Sequence, residues 1–140
     1  MRSDSEVVDV LNELWTVKRA LIDQNVARSK VCEARDQQEF ADRFSKIAFG
    51  HMREVASLLD RIVAVGGMPR LLTVNEVPVG ETLSEQIRLS LDAEHATTER
   101  YKEALTVCEQ DEETRGLVSA ALENQRAHID WLESAVSRSP

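Results

Sequence analysis

The chain has 140 residues with 17 basic and 25 acidic side chains, a formal charge of −8. That length suits one domain with its own core, and the acidic balance excludes nucleic acid as a main partner, because phosphate binding needs a basic face. No stretch approaches ~18 apolar residues and the N-terminal MRSDSEVVDV lacks an apolar signal core, so the expectations are no membrane partner and a cytoplasmic location.

Five glycines and three prolines among abundant Leu, Ala, Val, Glu and Arg predict an all-α protein. Asp4 or Ser5 can cap a first helix running to about Glu33. Asp36 can start a second, over 36–65, which stops at Gly66-Gly67 with Pro69 just beyond. Thr82 with Glu85 forms a capping-box pattern for a third helix over 82–109. Asp111 can cap a fourth over 111–136, where Glu112 and Glu113 suit the positive end of the helix dipole. The closing SRSP reads as a frayed end. Cys32 and Cys108 are far apart in sequence and in no CxxC arrangement, so reduced thiols are expected.

Each helix is roughly 40 Å long. Tight joints between the first and second helices, and between the third and fourth, predict two antiparallel hairpins. The stretch from Gly66 to Glu81 can extend roughly 50 Å, enough to travel the length of a bundle. The second and third helices then run parallel. A four-helix bundle with one long crossover is the layout of ferritin-like folds.

At helical spacing the apolar stripe of every helix is interrupted near its middle. The first reads Val7, Leu11, Leu14, then Lys18, then Leu21 and Ile22. The second reads Phe40, Phe44, Ile47, then His51 and Glu54, then Leu58, Ile62 and Val65. The third reads Leu83, Ile87, Leu91, then Glu94, then Tyr101 and Leu105. The fourth reads Val118, Ala121, then Gln125 and His128, then Leu132 and Val136. Helix middles lie at one height in a bundle. Lys18, His51, Glu54, Glu94, Gln125 and His128 are therefore expected to share one buried polar layer.

The segments VLNEL (10–14), HMREVASLLDRIVAVGGMP (51–69), VGETL (79–83) and AHIDWLE (127–133) resemble the bacterioferritins. The similarity runs without gaps over about 5–105 and resumes near the C-terminus. It implies a ferritin-like four-helix bundle and a role in iron storage or iron homeostasis. The resemblance also implies a di-iron site built from a glutamate on each of the first and third helices and a Glu-x-x-His pair on each of the others. Here Glu94 and His128 match. The first-helix glutamate is replaced by Lys18, the second-helix pair is reversed as His51 and Glu54, and Gln125 replaces the remaining glutamate.

Two ferrous ions need about four carboxylates for neutrality, and this layer offers only Glu54 and Glu94, with a cation at Lys18. The broken set implies no ferroxidase activity. The favoured arrangement is metal-free, with Lys18 paired to Glu94, Glu54 paired to a protonated His51 or His128, and Gln125 filling hydrogen bonds. The competing reading is one divalent ion, iron, zinc or manganese, on His51, Glu54, Glu94 and His128, the centre of an altered oxidase. A third reading is a metal-free structural or interaction bundle.

Met52 matches the family's haem-ligating methionine, which two subunits contribute to one haem. Ile22, Val26 and Phe49 would build its apolar surroundings, and Arg19 or Arg53 would meet a propionate. The chain stops nine residues past Trp131, where the family adds a short fifth helix. A homodimer, or co-assembly with a competent ferritin subunit, is thus expected rather than a closed shell.

Overall fold

The computed structural model describes residues 4–138. Its helices are α1 (Asp4–Ala34), α2 (Gln38–Ala64), α3 (Leu83–Val107) and α4 (Glu112–Arg138), with no strand among the described residues. Cross-helix pairs give the directions. Ser29 Oγ donates to Ala41 O at 2.7 Å and Lys18 Nζ reaches Glu54, so α1 and α2 are antiparallel. Lys18 also meets Tyr101 and Cys32 meets Gln86, so α1 and α3 are antiparallel too. Thus α2 and α3 run parallel, joined by the crossover, and the all-α ferritin-like layout holds.

The helix ends follow from local chemistry. Thr82 caps α3, accepting from the Glu85 N–H at 3.1 Å, while the Glu85 carboxylate reaches back to the Glu81 N–H at 3.0 Å. Asp111 accepts from the Thr114 N–H at the start of α4. Gly66, at φ +85°, closes α2. Its N–H and that of Gly67 return to Val63 O and Ile62 O, the paired bonds of a Schellman motif. Gly67 touches α1 so closely that a Cβ there would lie 2.4 Å from a Val8 methyl carbon.

Three expectations at the ends need correction. Asp36 does not cap α2. It adopts φ +57° in the turn after α1, and Gln37 precedes α2 without a side-chain cap. A short acidic residue tolerates that left-handed conformation, and here it reverses the chain. Asp4 and Ser5 lie inside α1 rather than ahead of it. Of SRSP, Ser137 and Arg138 are helical, with Arg138 bonded to Glu39 at 3.0 Å, and the last two residues lie outside those described.

The crossover is tied down through its own backbone carbonyls. Asn12 donates to Met68 O, Arg19 to Leu72 O, Arg28 to Pro78 O and Val79 O, Gln86 to Gly80 O and Arg35 to Glu81 O. Asn12 Oδ1 also accepts from the Arg70 N–H and from Trp15 Nε1. A segment without helix or sheet must find partners for its peptide groups, and α1 supplies most of them.

The apolar core is split in two. One cluster holds Leu11, Leu14, Trp15, Leu58, Ile62, Ala104, Val118 and Leu122, and the other holds Cys32, Ala41, Phe44, Ile87, Leu132 and Ala135. The polar residues of the helix middles lie between them.

Candidate functional site

The site begins with Lys18 on α1, which is fully buried. Its ammonium nitrogen lies 2.9 Å from His51 Nδ1 and 3.0 Å from Glu54 Oε1, and it also bonds the Tyr101 hydroxyl. An ammonium has three N–H donors, and three acceptors surround it. His51, equally buried, presents Nε2 to Glu94 Oε1 at 3.0 Å. Gln125 Nε2 donates to the Glu94 backbone oxygen at 2.7 Å and also to Glu94 Oε2. Asn124 Nδ2 donates to Glu54 Oε2 at 3.3 Å, where that side chain reaches the surface groove between α2 and α4.

His128 stands apart. Its ring lies 5.3 Å from that of His51, edge to face, and its buried Nε2 has no partner. Nor has Gln125 Oε1. Gly50 faces the His128 ring, with a Cβ position 3.8 Å from Nε2.

One expected ion pair is changed and the other is kept. Lys18 pairs with Glu54 rather than Glu94 at 3.0 Å, while His51 faces Glu54 at 3.5 Å as expected and also meets Glu94 at 3.0 Å. Helix register explains the change. The residue on α3 level with Lys18 is Tyr101, and Glu94 lies seven residues away, about two turns. On α2, however, His51 and Glu54 both face Lys18. All six residues read as a layer are found between the two apolar clusters, although the layer is stepped rather than flat.

Proton positions follow from this geometry. A nitrogen–nitrogen contact of 2.9 Å holds one proton between Lys18 and His51, not two. Burial lowers the Lys18 ammonium's pKa against the opposing pull of Glu54 and Glu94. Burial also works against the His51 imidazolium, but its hydrogen bonds to Glu54 and Glu94 outweigh that and raise it. Burial would raise Glu54, yet His51 and Lys18 bring it down to about 2. His128, desolvated and without a bonded partner, falls to about 4. Tyr101 is held protonated by burial and by the nearby carboxylates.

The Lys18–His51 pair thus carries one positive charge against two carboxylates. Arg28 is a further buried cation on α1, bonded to neither carboxylate. Its guanidinium is held by the Pro78 and Val79 carbonyls, and its field couples to Glu94. Sequence periodicity placed Tyr101 in the apolar stripe and gave Arg28 no role. Only the first has a signal of its own. Tyr101 carries a hydroxyl that needs a partner when buried, whereas Arg28, ten residues past Lys18, lies about 80° round the helix from it, so spacing alone does not place it with the layer.

Two irons do not fit these donors. Lys18 Nζ occupies the point between His51 Nδ1 and Glu54 Oε1, and no three His, Cys, Asp or Glu side chains among the described residues are grouped as metal ligands. Met52 lies outside the layer on α2, 45% exposed, beside exposed Val26 and Phe49. These three help line a depression of about 260 Å³ between α1 and α2. Arg19 is not on that face. Its guanidinium stacks over Trp15, 5.2 Å from the ring centroid, and donates to Leu72 O, so it is no propionate partner.

Two comparisons bear on this arrangement. Residues 8–139 match the family model described as ferritin-like domain. A Mycobacterium avium protein named bacterioferritin is 31% identical over 136 residues, 96% of this chain and 86% of that protein. Its namesake from Mycobacterium leprae is 30% identical over 139 residues, 98% of this chain and 87% of its own. The Streptomyces coelicolor bacterioferritin is 26% identical over 136 residues, covering 96% and 81%. No described helix is long and apolar enough to cross a membrane. The chain belongs to the ferritin-like family, as a bacterioferritin-like member.

Proposed function

We propose that this protein serves iron storage or iron homeostasis as a bacterioferritin-like subunit without ferroxidase activity, its central layer closed by an internal cation instead of metal. One observation carries the reading: Lys18 Nζ meets His51, Glu54 and Tyr101 together, using every donor an ammonium has. Removing a buried pair's partner leaves an uncompensated charge, so the layer holds itself together without a ligand. Arg28 adds a further buried cation to the core.

On this reading the subunit works as a homodimer or beside a competent ferritin subunit in the cytoplasm. The face around Met52 supports a haem contact shared between two copies. The Met52 thioether would be the ligand, Val26 and Phe49 would cover a ring face, and Lys30 at the rim of the depression would meet a propionate. Haem there would supply one-electron transfer at the subunit contact.

Anaerobic ferrous titration of the chelator-stripped protein tests the metal reading. The expected result is no tight site per chain, with Lys18→Glu raising ferrous affinity at least tenfold. Tight stoichiometric binding by the unaltered chain would overturn it. A second reading rests on the unpartnered His128 Nε2 and Gln125 Oε1. A single divalent ion on His51, Glu54, Glu94 and His128 would engage that nitrogen once Lys18 swings away. Oxygen-dependent ferrous oxidation that is lost in His128→Ala would favour it.

A further inference from the structure

Besides the face that α2 turns into the core, the helix carries a second apolar stripe that faces out. Phe49, Met52, Ala56 and Val63 are exposed and Leu59 is half-buried, and they recur at intervals of three and four residues. Apolar residues at that spacing on the outside of a helix are the pattern by which one helix seats another. The stripe is about 20 Å long. Asp42 and Ser45 bound it at one end and Gly66 at the other.

Its two flanks differ. On one side lies α1, where Val26 joins Phe49 and Met52 along the depression between the two helices. The other side carries Lys46, Arg53 and Asp60, seven residues apart and so in one row. All three are exposed, and none is in an ion pair among the described residues, whereas Arg61 holds Asp111 and Glu113. A row that is basic at one end and acidic at the other complements itself when a second copy runs the opposite way. Such self-complementarity is the requirement of a two-fold contact.

The spacing also sets the register. Setting Phe49 against Leu59 of the second copy sets Met52 against its Ala56, and the two-fold axis repeats both layers. Residues 44–64 then overlap, about 30 Å of helix. In the same register Lys46 of each copy meets Asp60 of the other, and Arg53 faces its own equivalent at the axis. Sliding the copy by one heptad sets Met52 against Val63 and Arg53 against Asp60. That slide shortens the overlap to about 20 Å and leaves Phe49, the largest side chain of the stripe, beyond the end of the opposing helix.

We propose that the outer stripe of α2 seats α2 of a second copy of this chain, antiparallel, with Lys46 of each copy paired to Asp60 of the other. The proposal rests on the homodimer reading above and fixes the face and register of that dimer.

Sedimentation equilibrium of the full chain and its charge-reversal variants tests this. The parent should be a dimer. Lys46→Asp and Asp60→Lys should each weaken it about tenfold, since each turns two attractive pairs into repulsive ones. The double variant should return to within about twofold of the parent, because the pair is restored with its sign reversed. Its recovery also excludes misfolding as the cause of the single losses, as it contains both changes. Arg53→Cys should cross-link between copies with a short bismaleimide, because Cys32 and Cys108 are buried. A monomeric parent would overturn the homodimer reading and this proposal with it. A dimeric parent whose double variant is no stronger than the single ones would overturn the register alone. Rescue by Arg53→Asp with Asp60→Arg instead would assign the slid register and overturn this one.

Discussion

Lys18 has three protons to give and three acceptors within reach, and that match accounts for a lysine in a bundle core. The alternative, a buried ammonium facing apolar side chains, would have shed its proton or unfolded the site. The neighbouring ionisable groups make stability depend on pH, with a sign that each pKa dictates. His128 titrates near 4 in the folded chain, below the ordinary histidine value of about 6.5. Between those values the unfolded chain binds more protons, so stability falls as pH drops from about 6.5 to 4. Glu54, brought down to about 2, adds a second loss as pH falls from its unfolded range near 4.5 toward 2. His51 contributes the opposite way, since its raised value gives stability that is lost as pH rises through it. Urea midpoints across pH 3–8 should therefore decline on acidification. Replacing His128 with Phe should flatten the arm between 6.5 and 4 while leaving the lower arm.

At the scale of elements, α1 carries more than one face of a bundle helix usually does. Beside its apolar stripe it buries Asn12, Thr16, Lys18, Asn25, Arg28 and Ser29. Several of these hold the crossover's carbonyls or place charge in the buried core. Arg28 does both, which makes it the sharpest test of that dual role. Arg28→Met should lower stability by roughly 3 kcal/mol, the scale of a buried charge partner lost, as read by urea denaturation. It should also speed proteolytic cutting within 73–77, because the crossover loses its anchor at Pro78 and Val79. A stability loss without faster cutting would mean that Arg28 acts on the layer alone. Gly66 offers an independent check. Its φ of +85° is a conformation that a Cβ disfavours, so Gly66→Ala should cost about 1 kcal/mol in thermal unfolding, with Gly66→Asn milder.

At the scale of the whole molecule, an exposed apolar patch on a charged chain calls for a cover. Val26, Phe49 and Met52 are exposed together along α1 and α2 on a chain of formal charge −8. Isolated exposed apolar residues are ordinary, whereas a shared patch marks a contact surface. With the homodimer proposed here, sedimentation should show a dimer for the parent chain and a monomer for Phe49→Glu. If the dimer also holds haem, Met52→Ala should remove the Soret absorbance of the haem-loaded protein without dissociating the dimer. The two variants thus separate the contact from the cofactor.

Four helices, two hairpins and a crossover were legible in the sequence because they depend on local chemistry. Apolar residues recur at helical spacing, Thr82 and Asp111 cap, and Gly66 terminates. The polar layer was legible too, since an interruption at the middle of four helices shows without knowing how they pack. Asp36 misled because one residue can end a helix or begin the next, and only the backbone conformation distinguishes these. The partners within the layer belong to the tertiary structure. Which carboxylate Lys18 meets depends on the relative register of α1, α2 and α3, which no single helix encodes. Tyr101 joins the site because it stands level with Lys18, and Arg28 because the crossover passes over it. Sequence by itself determined which groups would be buried at mid-bundle and that they could not all be charged alike. Tertiary packing decided which partners meet across helices, because a shift of two turns changes the carboxylate that Lys18 faces while leaving each helix's own pattern, the His51–Glu54 pair included, intact.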